Sequence, residues 1–255
     1  MSNNSNKIAL VTGGSRGLGK NTALQLAKRG FDVVITYQTK KEDAEEVVSE
    51  INSLGQKAFA IQLDIASTAG FETFKNQVAS LLETNFKGRK LDALVNNAGI
   101  GINTPFEQTT EEMLDAMTNI HFKGPYFLTQ IVLPLLNDGS SIVNTSSGLA
   151  RFSFAGYSAY GAMKAAVDSL TRYQALELGS RKIRVNSIAP GAIETDFGGG
   201  FVRDNNDMNT MISSQTALGR VGLPDDIGTA VAFLCSDDSK WINAQRIEVS
   251  GGFMI

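Results

Sequence analysis

The sequence predicts an α/β fold: a doubly wound parallel sheet of about seven strands with helices on both faces, built as a single domain. Three observations predict it. Short apolar runs and helical stretches alternate seven times along the chain. The first apolar run ends in a glycine-rich loop that opens a helix. The 255 residues run on without a repeat, a low-complexity segment or a linker. A chain of this size buries about three quarters of its surface in one domain.

Composition narrows the partners. A net charge of -3 gives no reason to expect nucleic acid or an anionic membrane surface. No apolar stretch approaches the roughly 18 residues of a membrane span. Residues 1–6 are polar, lack the apolar centre of a signal peptide and read as a disordered tail, so a soluble cytoplasmic protein is expected. The single cysteine, Cys235, ends the apolar run Ala230-Val231-Ala232-Phe233-Leu234 and reads as a buried structural thiol. No metal site is expected.

Lys7 to Thr12 is an apolar run ended by glycines, the pattern of a buried parallel strand. Gly13-Gly14-Ser15-Arg16-Gly17-Leu18-Gly19 follows, then a helical pattern through Arg29. Glycines there let the chain turn tightly and let its backbone approach a pyrophosphate at the helix N-terminus. The spacing is Gly-x-x-x-Gly-x-Gly, not the commoner Gly-x-Gly-x-x-Gly, and by itself it is equally a plain turn. Phe31 to Tyr37 is the second strand. In NAD-binding sheets an acidic residue about 20 positions past the glycines holds the ribose 2′-hydroxyl. That place is Tyr37, with no adjacent carboxylate, and Arg16 stands inside the loop. Both features favour a 2′-phosphate, hence NADP(H) over NAD(H). Lys40 and Lys41 read as the start of a solvated helix reaching Leu54.

Lys57 to Leu63 is the third strand, and Asp64 at its end offers a carboxylate to an adenine amino group. Ser67 to Phe86 is helical. Leu91 to Val95 is the fourth strand and ends in Asn96-Asn97-Ala98-Gly99, where the asparagines can bridge neighbouring backbones and the glycine can admit a ribose. Thr109 to Leu136 is long and helical, with a kink or irregularity expected at Pro125. Leu136 to Ser140 is a turn, Ile142 to Ser146 the fifth strand, and Lys182 to Ala189 the sixth, followed by Pro190-Gly191. Residues 196–217 contain Gly198-Gly199-Gly200 and no strong periodicity, and read as a mobile lid with two short helical pieces. Pro224 opens a helix to Cys235, and Gln245 to Val249 is the last strand.

Tyr160 and Lys164 lie four apart in the helical run Tyr157 to Glu177, so both occupy one helix face. A phenol titrates near about 10. An adjacent ammonium favours phenolate and makes the tyrosine a usable general acid/base. Ser147, at the end of the fifth strand, can hydrogen-bond a carbonyl oxygen. Alone, Tyr-x-x-x-Lys is an ordinary surface pair.

Thr12-Gly13-x-x-x-Gly17-x-Gly19, Asn96-Asn97-Ala98-Gly99, Ser147, Tyr160-x-x-x-Lys164 and Pro190-Gly191 occur in this order. Together they make the chain resemble the classical subgroup of the short-chain dehydrogenase/reductase family, over about residues 7–253. The resemblance implies a Rossmann-like sheet and a nicotinamide-dependent oxidoreductase. It implies Tyr160 as acid in reduction, Lys164 as its partner and binder of the nicotinamide ribose, and Ser147 as the group that polarises the substrate carbonyl. Thr195 would hold the nicotinamide carboxamide, Asp64 would meet adenine, and Asn96 with Gly99 would line the adenosine ribose. Gly13, Ser15, Gly17, Leu18, Gly19, Ile65, Ala98, Pro190, Gly191 and Ile193 complete the implied cofactor site. One position departs: the family's asparagine, which anchors a water linking the lysine to solvent, is replaced by His121, while Asn119 is out of register by two. A relay through His121 would show as an acid limb at or below about 6.5.

The leading expectation is an NADPH-dependent carbonyl reductase acting on a small-molecule ketone or aldehyde. Reduction of 3-oxoacyl groups on an acyl carrier protein, and a non-catalytic cofactor-binding module, are the alternatives. Phe152, Phe154, Phe197 and Phe201 suggest an apolar pocket and a bulky or aromatic substrate. Apolar residues beyond one core face on the two long helices suggest a homotetramer or homodimer. Arg16 yields the first test. Arg16→Ala should weaken NADPH binding by about 1–3 kcal/mol and leave NADH binding nearly unchanged, and Tyr37→Asp should favour NADH. Titration of both cofactors checks this, and equal losses in the Arg16 variant would exclude a phosphate-reading role.

Overall fold

The structure, a computed structural model, describes residues 6–255. The expected tail therefore lies outside the described residues except at Asn6. That residue is held, its side-chain amide donating to Asp32 at 3.2 Å and to Gln56 at 2.6 Å.

Seven parallel strands form one sheet: β1 (Ile8–Val11), β2 (Asp32–Tyr37), β3 (Ala58–Gln62), β4 (Leu91–Asn96), β5 (Leu136–Thr145), β6 (Arg184–Pro190) and β7 (Arg246–Val249). Their order is β3-β2-β1-β4-β5-β6-β7. The helices that connect them are α1 (Gly17–Lys28), α2 (Lys41–Ser53), α3 (Phe71–Phe86), α4 (Glu111–Thr118), α5 (Gly124–Val132), α6 (Ser158–Glu177), α7 (Phe201–Asp204), α8 (Asn206–Ser214) and α9 (Pro224–Cys235). Strand side chains alternate between two cores. Ile8 and Leu10 of β1 join α3 and α5 on one face, whereas Ala9 and Val11 join α1, α2 and α9 on the other. A strand buried on both faces reads as an unbroken apolar run, which is why these strands were legible.

β1 pairs with β2 on one side and β4 on the other. At this reversal the connections leave in opposite directions, and a crevice opens beyond the strand ends.

One element differs from the sequence expectation, and two others take the irregular forms it allowed. The long helix is interrupted: α4 passes through a π-helical turn at Asn119–Lys123 into α5. Pro125 has no N–H to donate to the carbonyl one turn back, so the ladder there widens locally. Leu136–Ser140 is not a turn but the start of β5. Leu136 is fully buried and pairs with Leu91, and the register shifts between Leu91 and Ala93 to absorb the extra chain. The segment 196–217 contains a 3₁₀ turn at Phe197–Gly200 before α7 and α8. Gly198, Gly199 and Gly200 hold φ of 62°, 76° and 80°, a left-handed run that favours glycine. Among the described residues, no helix is long and apolar enough to cross a membrane.

Candidate active site

A cavity of about 370 Å³ opens at the strand reversal. Its inner wall is backbone. The Thr12 hydroxyl accepts from the N–H groups of Asn97 at 2.9 Å and Ala98 at 3.0 Å, and it donates to Val95 O at 3.3 Å. One side chain thus joins the loop after β1 to the loop after β4. Gly13 sits at φ 63°, where a Cβ would lie 2.9 Å from Ala98 Cα. Gly19 is tighter still, because a Cβ there would run into the Gly13 carbonyl. The α1 N-terminus has no side-chain cap, which leaves its N–H groups free for an anion. These features fit a dinucleotide pyrophosphate.

Gly13, Ser15, Arg16, Gly17, Leu18, Gly19, Tyr37, Asp64, Ile65, Ala98, Gly99, Pro190, Gly191, Ile193 and Thr195 all line the cavity. Asn96 does not. Its side chain points into the protein and donates to Thr129 Oγ1 at 2.9 Å and Asn144 Oδ1 at 2.8 Å. Alternation at the strand end sends the next residue the other way. Asn97 lines the cavity and donates to Thr12 O at 2.9 Å and Gly13 O at 3.2 Å. Period-two reading of β4 was the signal that could have chosen it. The Arg16 side chain is exposed and takes no hydrogen bond or ion pair among the described residues. Lys40 and Lys41 pair with Asp43 and Glu45 instead and stay outside the cavity.

Ser147, Tyr160, Lys164 and His121 also meet in this cavity. Ser147 leaves β5 in extended backbone, and its hydroxyl accepts from Leu149 N–H at 3.2 Å. Tyr160 and Lys164 project from one face of α6, both buried. The Lys164 ammonium donates to Thr145 O at 2.7 Å and lies 5.4 Å from the Tyr160 ring centroid. Burial pushes the Tyr160 phenol above its ordinary range, and the Ser147 hydroxyl pulls it partly back. Burial also lowers Lys164 to about 7, opposed by Asp168. Desolvation is the largest influence on both groups and favours their neutral forms.

His121 hangs from the π turn, with its ring edge against Tyr160 at 5.1 Å between centroids. Its Nε2 lies 2.8 Å from Ile100 O, so Nε2–H donates and Nδ1 is the acceptor. Nδ1 is buried without a partner among the described residues. Burial, and then the Lys164 charge, lower the imidazole to about 3. Both influences favour the neutral imidazole.

Phe152, Phe154, Phe197 and Phe201 line the rest of the cavity with Tyr157, Met208, Ile212 and Phe253. Phe197 approaches Tyr160 at 5.8 Å between ring centroids and packs over Gly101. Phe253, near the chain end, stacks edge-on against Phe152 at 5.3 Å. Its contribution was hidden because nothing local marks the C-terminal turn as part of a pocket. Cys235 is buried and lies outside the cavity, its thiol pushed up to about 12 by desolvation.

Comparison with known proteins gives the family. A family model described as enoyl-(acyl carrier protein) reductase matches residues 13–254. Hydroxynaphthalene reductase-like protein Arp2 of Metarhizium brunneum is 38% identical, over 96% of this chain and 94% of the relative. The landomycin C-6 ketoreductase LanV, solved with NADP and rabelomycin, superposes with a TM-score of 0.88 at 34% identity, covering 97% of this chain and 96% of that one. A short-chain dehydrogenase of Burkholderia cenocepacia in complex with NADP gives 0.88 at 37% identity, with 96% and 97% covered. The fold and site define an oxidoreductase with a doubly wound sheet. The chain belongs to the short-chain dehydrogenase/reductase family.

The buried imidazole makes a pH prediction. Its folded pKa lies below the unfolded value of about 6.5, so the unfolded chain binds the proton that the folded chain refuses. Stability should therefore fall as pH drops below about 6.5, by up to about 1.4 kcal/mol per pH unit from this group. His121→Asn should flatten that slope in urea denaturation series. The sole histidine should also show no NMR titration between about pH 5 and 8. Titration near 6.5 would contradict the burial argument.

Proposed function

We propose that this protein is an NADP(H)-dependent carbonyl reductase acting on a neutral, bulky or aromatic ketone or aldehyde. The observation that carries the reading is the meeting of Ser147, Tyr160 and Lys164 in one cavity whose remaining wall is aromatic and apolar. The cofactor supplies the hydride. Gly13, Gly17 and the α1 N-terminus hold its pyrophosphate, Arg16 its 2′-phosphate, and Thr195 its carboxamide.

Ser147 donates to the substrate carbonyl oxygen and stabilises its developing charge. Tyr160 then delivers its proton to that oxygen. A phenol that burial keeps protonated is the form reduction requires. Lys164, lowered to about 7, exchanges protons readily near neutrality. The neutral His121 offers Nδ1 as an acceptor for a water on the route back to Tyr160, in place of the family's asparagine. The acid limb of such a relay lies near pH 3 rather than near neutrality.

Substrate class follows from the wall. Phe152, Phe154, Tyr157, Phe201 and Phe253 offer π faces and no charge. Asp196, a charged lining residue, is paired to Arg203. The reductases named for hydroxynaphthalene and landomycin chemistry are in keeping with an aromatic substrate. The description of the family model favours an acyl-carrier-bound substrate as a second reading.

The chain is further proposed to assemble as a homotetramer or homodimer. Tyr126 and Phe127 on α5 and Tyr173 and Leu176 on α6 are exposed, the last at 79%. Sedimentation at micromolar concentration should show an oligomer, and a monomer alone would end this proposal.

The activity is tested with purified protein, NADPH and a panel of polycyclic aromatic ketones, aldoses and an acetoacetyl thioester. Aromatic ketones should turn over fastest. Tyr160→Phe should lower kcat by about 10²–10⁴ while calorimetry shows NADPH still bound. Preferred turnover of the thioester would select the second reading, and no turnover with either cofactor would overturn both.

A further inference from the structure

A chain of alternating charges runs beside the site and belongs to none of its expected residues. Asp168 lies one turn after Lys164 on α6 and is 9% exposed. Its Oδ1 accepts from Ser187 Oγ at 2.8 Å, and its Oδ2 accepts from Arg246 Nε at 3.0 Å. The same guanidinium donates to Glu248 at 2.8 Å and to the main-chain carbonyl of Ser147 at 3.0 Å. Glu248 also takes a two-pronged contact from Arg151, at 2.9 and 2.7 Å. Arg151 in turn donates to the carbonyls of Phe253 and Met254, each at 3.2 Å.

Both ends of this chain are mechanically informative. At one end, Arg246 grips α6, the helix that carries Tyr160 and Lys164, and the backbone of Ser147. At the other, Arg151 holds the C-terminal turn. That turn pairs with the end of the lid: Ala217 and Leu218 N–H donate to Gly252 and Gly251 carbonyls at 3.2 and 3.1 Å, and Met254 N–H donates to Gln215 O at 3.3 Å. Phe253 closes the cavity against Phe152.

Exposed ion pairs contribute little, but the Asp168, Arg246 and Glu248 side chains are sheltered, at 10%, 23% and 20% exposure, while Arg151 is 41% exposed. Bidentate guanidinium–carboxylate contacts also fix direction as well as distance. Glu248 is held at about 2 by Arg151 and then Arg246, so it stays charged.

Resting on the reductase reading above, we infer that Arg246 is a positioning residue that sets the Ser147 backbone against the Tyr160 helix, and that Glu248 and Arg151 extend this hold to the lid. Loss of Arg246 displaces the serine hydroxyl from the tyrosine and slows the chemical step. Loss of Glu248 charge keeps the serine in place and loosens the lid.

Two measurements test it, one independent of turnover. Amide hydrogen exchange on Glu248→Gln should be at least tenfold faster at Ala217, Leu218 and Met254, with β1 and β4 unchanged. Wild-type exchange at those amides in the folded variant would overturn the link to the lid. In steady-state reduction, Arg246→Gln should lower kcat at least tenfold with KM for NADPH unchanged within twofold. The isotope effect with 4-deuterated NADPH should rise, a change that a smaller folded fraction cannot produce. Arg246→Lys should recover part of the rate, and it carries the kinetic test if Arg246→Gln does not fold. A variant with wild-type kcat and isotope effect would overturn the positioning role. Should the wild-type protein reduce no carbonyl, the function above fails while the exchange experiment still decides the strut.

Discussion

The hydroxyl of Thr12 is the joint on which the site depends. The strand order reverses between β1 and β4, so the loops leaving them diverge and nothing in the sheet itself fixes their separation. Thr12 closes that gap with three hydrogen bonds, to Val95, Asn97 and Ala98. Once the loops are tied, the glycine positions follow. Gly13 lies against Ala98, and Gly19 lies against the Gly13 carbonyl, where any side chain would force the loops apart. The cradle is consequently made of main-chain groups and the open start of α1, which is what an anionic ligand needs. The other wall is placed by the same sheet, since β5 carries Ser147 to the same end as β4 carries Asn97.

Depth decides the electrostatics. Tyr160, Lys164 and His121 are all buried, and desolvation is the largest influence on each. It favours the neutral form of all three, leaving a phenol that holds its proton, an amine near its titration point and an imidazole that stays unprotonated. One helix turn further on, at Asp168, charge is met by a partner instead. Asp168, Arg246, Glu248 and Arg151 are paired, each carboxylate with a guanidinium and each guanidinium with a carboxylate. Neutral groups in the floor and paired charges in the frame are two answers to the same cost of burying charge.

The π turn joins these layers. By widening one turn of the helix before Pro125, it brings His121 under Tyr160 and lets Gly124 approach the Ile65 carbonyl. A regular helix would present that position differently, because one extra residue in a turn rotates everything after it.

The sequence by itself determined what depends on neighbours along the chain. Apolar runs at Lys7–Thr12 and Phe31–Tyr37 had to be buried strands, the glycines of 13–19 had to make a tight turn, and Tyr160 and Lys164 had to share a helix face. Pro125 had to disturb its helix. Each of these follows from backbone geometry within a few residues. Tertiary structure decided what depends on depth and on distant partners. It chose Asn97 over Asn96 at the end of β4, drew Leu136–Ser140 into the sheet, and made burial the largest influence on Tyr160 and His121. It also assembled positions 151, 168, 246 and 248 into one chain of charges. Desolvation and long-range pairing have no period in a sequence, so no spacing could announce them.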